Sequence, residues 1–333
     1  MIRYLVAGQL QRDYVLTASG KAYIDIPGGN LLYTATGIGV WEQGVGLVTR
    51  VGEDYPHEWL DEIAEKEIDT RGIRITPVAM DIRSFFAYPD LDNRSTDNPV
   101  SHFSRVGMPF PKSLLGYASP TFQIDSRVQP SDITIRPNDI PVDYLDATAA
   151  HLCPVDFLSH SLVPPALRQG HISTLTIDPS VGYMNPTFWD NIPNIINGIT
   201  AFLTSEEKII SLFQGKSSDL WEMAETLASY GCEMVIIKRG ARGQYVYEHA
   251  SHTRWIIPAY PSRVLDPTGA GSAYCGGFLV GYRTTYNPLT AALYGNISAS
   301  LVVEGSGPFY ALDALPGLAQ ARLESLQGMV RKL

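Results

Sequence analysis

Cysteine, positive charge and long apolar runs are what this sequence has least of. Its 333 residues include three cysteines, Cys153, Cys232 and Cys275. An odd, widely scattered set gives no disulfide framework, and no CxxC or Cys/His spacing marks a zinc site. They read as small buried residues in a reducing compartment. Lys and Arg number 25 against 34 Asp and Glu, a formal charge of −9. That balance argues against a general nucleic-acid or anionic-membrane partner, since phosphate-backbone affinity needs clustered cations. No window approaches ~18 uninterrupted apolar residues, so no membrane span is expected. The run from Met1 to Gly8 is too short for a signal peptide and reads as a first strand. The seven histidines form no HxxxH or HExxH pattern, and no Gly-x-Ser-x-Gly elbow suggests a hydrolase. The expected setting is cytoplasmic.

What is present is ordinary globular composition, 45% hydrophobic and 18% charged, ample for a sizeable core. Strands are expected at Arg3–Ala7, Gly46–Val51, Ile73–Thr76, Ala147–Leu152, Thr174–Ile177, Ala201–Leu203 and Met234–Lys238. Helices between them, including His57–Glu65 and Ser217–Tyr230, give a βα rhythm and hence a doubly wound, mainly parallel sheet flanked by helices. Short alternating pieces over Asp13–Ile26 predict an exposed hairpin. Residues Asp90–Asp146, rich in Pro, Ser, Asp and Asn, read as lid elements and surface loops. Gln244–Tyr247 and Arg254–Ile257 suggest another hairpin. Helices over Ser272–Arg283, Pro288–Glu304 and Leu315–Val330 close the chain. No repeat or linker interrupts it, so residues 1–333 are read as one domain, with small β-lid elements within 13–27 and 83–110. Gly37-Ile38-Gly39 has the wrong onward spacing for a dinucleotide turn. Glu53-Asp54 read as caps of the helix near Tyr55–Glu65.

The stretch Asp266-Pro267-Thr268-Gly269-Ala270-Gly271-Ser272 joins a strand region to an apolar helix. Its glycines permit close approach of backbone to ligand. The N–H groups of Gly269, Ala270 and Gly271 would converge at a helix N-terminus, where the dipole favours an anion such as phosphate. Near the N-terminus, Asp13 precedes Gly28-Gly29-Asn30. A carboxylate and an amide suit vicinal hydroxyls, and paired glycines admit a sugar to the backbone. Asp13 also reads as a solvated loop carboxylate, and Asn30 as the N-cap of a Leu31–Val40 helix.

Asp-x-Thr-Gly-Ala-Gly followed by a small-residue helix resembles the C-terminal signature of the PfkB (ribokinase-like) carbohydrate kinases. Gly8…Asp13, Gly28-Gly29-Asn30 and Gly46…Val51-Gly52-Glu53-Asp54 resemble that family's sugar-binding segment. Lys238-Arg239-Gly240-Ala241-Arg242-Gly243 and Asn296…Gly305-Ser306-Gly307 follow in family order. The resemblance implies a ribokinase-like sheet with a β lid over a sugar or nucleoside, ATP with Mg2+ as cofactors, and a lid-mediated homodimer as one assembly. It places Asp13, Gly28, Gly29 and Asn30 on the substrate and Lys238, Gly240, Gly243 and Asn296 along the nucleotide. Asp266 and Thr268 would lie near a monovalent cation in members that bind one.

Three departures set this chain apart. Ser272 stands where the resemblance implies the aspartate that acts as general base, a function worth roughly 10²–10⁴ in rate. Ser272 reads instead as a helix cap in a retained anion site. Lys208, in Ser205-Glu206-Glu207-Lys208, stands where the family's Asn-x-x-Glu organises magnesium; a slip of one residue would bring Glu207 there. Ser180 and Gly182, in Asp178-Pro179-Ser180-Val181-Gly182, stand where the family usually carries Asn and Arg. A single engineered change would account for Ser272 alone, so the set points to natural divergence. Two functions remain: a kinase with reduced or unusual phosphotransfer, and a non-catalytic sugar- or nucleotide-binding regulatory or assembly protein.

Overall fold

The computed structural model describes residues 1–91, 93–119 and 124–332. Apolar runs flanked by turns form a ten-stranded sheet ordered β13-β12-β11-β10-β9-β8-β7-β1-β4-β5. Its parallel part is β5 (Asp69–Thr76), β4 (Val45–Gly52), β1 (Tyr4–Ala7), β7 (Ala149–Leu152), β8 (Thr174–Ile177), β9 (Ala201–Ser205) and β10 (Met234–Lys238). β11 (Gln244–Glu248), β12 (Thr253–Ile257) and β13 (Arg331–Lys332) extend it antiparallel. A second sheet has β2 (Gln11–Leu16) between β3 (Ala22–Gly28) and β6 (Arg83–Ala87). The helices are α1 (Asn30–Gly39), α2 (His57–Glu65), α3 (Pro99–Arg105), α4 (Phe157–Leu167), α5 (Ile192–Ile196), α6 (Glu206–Leu212), α7 (Leu220–Ser229), α8 (Ala270–Thr285), α9 (Pro288–Val302) and α10 (Leu318–Gln327).

The two-residue period of the strands sorts the core into two layers. Leu5, Ala7, Ala150, Leu152, Leu175, Ile177, Phe202, Val235 and Ile237 join the cluster under α4 to α7. Their neighbours Tyr4, Val6, Ala149, Ala201, Leu203, Met234 and Ile236 face α1, α8, α9 and α10. Apart from the edge strand β5, which is partly exposed, the parallel strands are buried on both faces, which is why they read as continuous apolar runs rather than alternation.

The β2–β3 hairpin is not the exposed ribbon its alternation suggests. β2 is buried from Asp13 onward because β6 flanks it on the other side. Tyr14 and Leu16 join Phe85, Phe103 and Leu114, the last two from the Asp90–Asp146 stretch, in a separate small cluster. The β2–β3 register shifts between Asp13 and Val15, with Asp25 at φ 55° opposite. Such a bulge re-aims side chains locally; Arg12 clasps Asp25 there at 2.8 and 2.5 Å.

Three expected caps fall elsewhere. α2 has Pro56 as its N-cap, and Asp54 instead accepts from the Met80 N–H at 2.9 Å. The N-cap of α1 is Gly29, and that of α8 is Gly269, both at positive φ (97° and 79°). Asn30 and Ser272 therefore lie inside their helices rather than capping them. The Gly37-Ile38-Gly39 run serves packing: a Cβ on Gly37 would overlap the Ala273 carbonyl of α8, and one on Gly276 that of Thr34.

Gly37→Ala should therefore destabilise by about 2 kcal/mol, overpacking against backbone outweighing the ~1 kcal/mol gain in helix propensity. Gly271→Ala, whose Cβ would meet nothing closer than Lys238 Nζ at 3.8 Å, should stay within about 1 kcal/mol. Urea-unfolding midpoints of the two variants compare them directly.

Candidate functional site

The site collects at the carboxyl ends of the parallel strands, where ligands lie in open α/β sheets. Asp13, 1% exposed, projects from β2 toward the start of α1. Its Oδ2 accepts from the Gly29 N–H at 3.3 Å and its Oδ1 has no partner among the described residues. The fit explains the glycine pair: a Cβ on Gly28 would overlap the Asp13 carboxylate, and one on Gly29 the Gln9 carbonyl. Burial pushes the Asp13 carboxyl up to about 7; the Gly29 N–H opposes this and nearby Asp266 adds to it.

Tyr33, one turn into α1, was not singled out by its sequence context, yet it links the two halves of the site. It is buried, its hydroxyl has no partner among the described residues, and its ring lies where a Cβ of Gly269 would be. Burial raises its hydroxyl well above the ordinary value, with Asp13, Asp266 and Tyr88 contributing. Tyr88, from just after β6, meets Thr268 hydroxyl to hydroxyl at 3.0 Å. Asp266, 1% exposed, takes the Thr268 N–H at 2.9 Å. In the loop itself, the Ala270 N–H reaches Pro267 O at 3.3 Å and the Ser272 N–H reaches Gly269 O at 3.0 Å. The N–H groups of Gly269 and Gly271 have no protein acceptor among the described residues. Ser272 is half-buried at the third position of α8.

Behind the loop stands an ion cluster. Asp178, following β8, is held by Lys208 of α6 at 2.8 Å and by Lys238 of β10 at 2.6 Å. Burial would raise the Asp178 carboxyl, but the two ammoniums outweigh it and hold it at about 2. Lys238 also donates to Gly271 O and reaches Cys275 Sγ, each at 3.3 Å, tying the cluster to the loop. Glu206 is engaged by Arg239 and Arg242. The space beside Gly182 is filled by the Asp125 carboxylate, which a Cβ there would overlap. Asp125 also accepts from the Phe157 N–H at 2.9 Å.

Other expected residues serve bracing. Asn30 accepts from the Gln9 N–H and donates to Pro154 O, both at 2.8 Å. Asn296 accepts from the Tyr260 N–H and uses both amide hydrogens on Pro258 O and Gln244 Oε1. It has no donor left for a nucleotide. Gly240 and Gly243 shape the turn after β10, both at positive φ. Among the described residues no cluster of three His, Cys, Asp or Glu is arranged to hold a metal, and no helix is long and apolar enough to cross a membrane.

This arrangement has relatives. The ribokinase of Giardia lamblia superposes with a TM-score of 0.68 at 15% identity, over 98% of this chain and 99% of that one. The fold is ribokinase-like. Aminoimidazole riboside kinase of Salmonella enterica, complexed with aminoimidazole riboside and an ATP analog, matches with a TM-score of 0.68 at 17% identity, over 96% and 99% of the two chains. Residues 172–315 match the pfkB family carbohydrate kinases. The cytidine kinase of Thermococcus kodakarensis is 26% identical over 289 residues, 85% of this chain and 89% of that protein. The pfkB-matching segment holds β8 to β10, the ion cluster and the 266–272 loop; Asp13 and Tyr33 lie outside it.

The proton affinity of Asp13 has a consequence for stability. Unfolded, the carboxyl loses its proton near 3.8; folded, near 7. Between these values the folded state binds the extra proton, so this group makes stability fall as pH rises from about 4 to 7, with the full penalty above 7. Without ligand, Asp13→Asn should therefore melt at least ~3 °C above wild type at pH 8. The gap should shrink toward pH 4, which thermal denaturation across that range measures. A gap independent of pH would contradict the assignment.

Proposed function

We propose that this chain is a PfkB-type sugar or nucleoside kinase scaffold. It binds a small polyhydroxylated substrate, a riboside being favoured, over Asp13, Gly28 and Gly29, and a phosphate group at the N–H groups of Gly269 and Gly271. Its phosphotransfer is strongly reduced. The observation that carries the reading is the pairing of a buried carboxylate bearing an orphan oxygen with unbonded loop N–H groups, joined through Tyr33. An orphan acceptor at this depth costs about 1–3 kcal/mol, a cost that a substrate hydroxyl would relieve. The names of the cytidine and riboside kinases above agree with a nucleoside.

The reduction in transfer follows from Ser272. A serine hydroxyl is not ionised near neutrality and cannot take the substrate proton as a carboxylate does. We assign Asp13, packed against Gly28 and Gly29 at the start of α1, to orienting a substrate hydroxyl. A non-catalytic role in regulation or assembly is the second reading, favoured by the double lysine clamp on Asp178, which removes a carboxylate from the phosphate side.

A thermal-shift screen of nucleosides, sugars and nucleotides, with and without magnesium, tests the binding half, because a ligand of the native state raises its melting point. Single-turnover transfer from ATP to the ligand so found tests the rest. Ser272→Asp is expected to raise the rate by about 10² or more. Wild-type turnover at ordinary kinase rates, on the order of 10 s⁻¹, would overturn the reduced-activity reading, and no shift with any nucleoside or sugar would overturn the substrate reading.

A further inference from the structure

The kinase resemblance brings Mg2+ with it, and the side chains at the phosphate side do not suit that ion. Magnesium is held through oxygen, commonly one or two carboxylates together with substrate phosphates and water. Both oxygens of Asp178 are taken by ammonium groups. Both oxygens of Glu206 are taken by guanidinium groups. Asp266 turns Oδ1 to the Thr268 N–H. Around Asp178 and Glu206 a dication would meet ammonium and guanidinium groups in place of free carboxylate oxygens.

The same cluster suits an anion. Two ammoniums around one carboxylate leave a net charge of +1 at a site of low exposure, where charge is weakly screened. The two lysines are not equivalent. Lys238 has its three N–H groups on Asp178 Oδ2, Gly271 O and Cys275 Sγ. Among the described residues Lys208 Nζ has one partner, Asp178 Oδ1 at 2.8 Å, and its side chain retains 14% of its exposure. Two of its N–H groups are left for a ligand. Burial lowers the proton affinity of Lys208 despite Asp178, whereas for Lys238 Asp178 overcomes burial. Lys208 is thus the charge in this cluster that an incoming anion would stabilise.

We propose that Lys208, anchored through Asp178 to Lys238 and the 266–272 loop, takes the charge-neutralising place of Mg2+, so that a polyphosphate docks here as the free anion. The ligand class is a nucleoside di- or triphosphate, or inorganic polyphosphate, recognised through its phosphates. The proposal rests on the reading of the loop as a phosphate site given above, and goes beyond it in making binding independent of metal.

Calorimetric titration of the full chain with ATP and with inorganic tripolyphosphate, each in EDTA and in excess Mg2+, decides it. The dissociation constant in EDTA should equal or fall below that in Mg2+, because the metal cancels two of the charges that Lys208 would meet. Lys208→Gln should weaken metal-free binding about 10-fold or more, as expected for a charge-assisted hydrogen bond. Lys216→Gln, which removes a charge stacked on Trp189 away from the loop, should leave binding unchanged. Should Lys208→Gln fail to fold, the wild-type comparison in EDTA and Mg2+ is sufficient. Binding that requires Mg2+, or that survives Lys208→Gln undiminished, overturns the proposal. Nucleoside binding with no polyphosphate binding in either medium would overturn it while leaving the substrate reading intact. Metal-free tripolyphosphate binding with no nucleoside or sugar bound would do the reverse.

Discussion

Where α1 and α8 cross, Gly37 lies against the Ala273 carbonyl and Gly276 against that of Thr34, so two backbones touch with no side chain between them. Both ends of the site hang from this contact. The start of α1 carries Gly29, Asn30 and Tyr33 beside Asp13; the start of α8 carries the 266–272 loop. Ser298 of α9 extends the lock, donating to Gly37 O at 2.9 Å and accepting from Trp41 Nε1 at 2.8 Å. Close-packed interiors transmit displacement rather than absorb it. A shift at the crossing would therefore change the separation between Asp13 and Gly269. A pocket that must hold a substrate hydroxyl against a phosphate tolerates little of that, since misplacement by about 1 Å can cost two orders of magnitude in rate.

Electrostatics divide the same site into unlike halves. Near the start of α1, burial raises the proton affinity of Asp13 to near neutrality, with the charge of Asp266 adding to it. Behind the 266–272 loop, Lys208 and Lys238 hold Asp178 ionised far into acid. A neutral, hydroxyl-bearing ligand fits the first half and an anion the second. The polarity runs from β2 and α1 toward β8, α6 and β10, along the line a substrate and a phosphate donor would share.

Much of the frame was legible because it is local. β8 and β10 follow from their apolar runs, and α2 from its periodicity. What stayed hidden depends on partners far along the chain. Asp13 reads as a solvated loop carboxylate until β6, some 70 positions later, covers β2. Asn30 reads as a cap because the acceptor for its amide, Pro154 O, lies 124 residues away. Ser272 reads as a cap because Gly269 can be seen to cap only once its φ of 79° is known. Lys208 and Gly182 are visible as departures, yet nothing local shows that the first pairs with Asp178 or that Asp125 fills the gap at the second. Tyr33 carries no signal of its own, since an aromatic residue in an apolar helix is ordinarily core.

Tyr33 is also where the argument for a bound ligand is strongest. Buried polar groups in folded proteins nearly always have partners, and an exception calls for a cause. Here the Tyr33 hydroxyl, Asp13 Oδ1 and the Tyr55 hydroxyl are all buried and without a partner among the described residues, and Asp13 acts electrostatically on both tyrosines. Core packing alone would have favoured phenylalanine at both aromatic positions, and an apolar residue at the third. Two donors and one acceptor left around a single depth describe the complement of a hydroxylated molecule. The chain keeps an unfavourable polar cluster beside the 266–272 loop, and that cost is consistent with selection for binding.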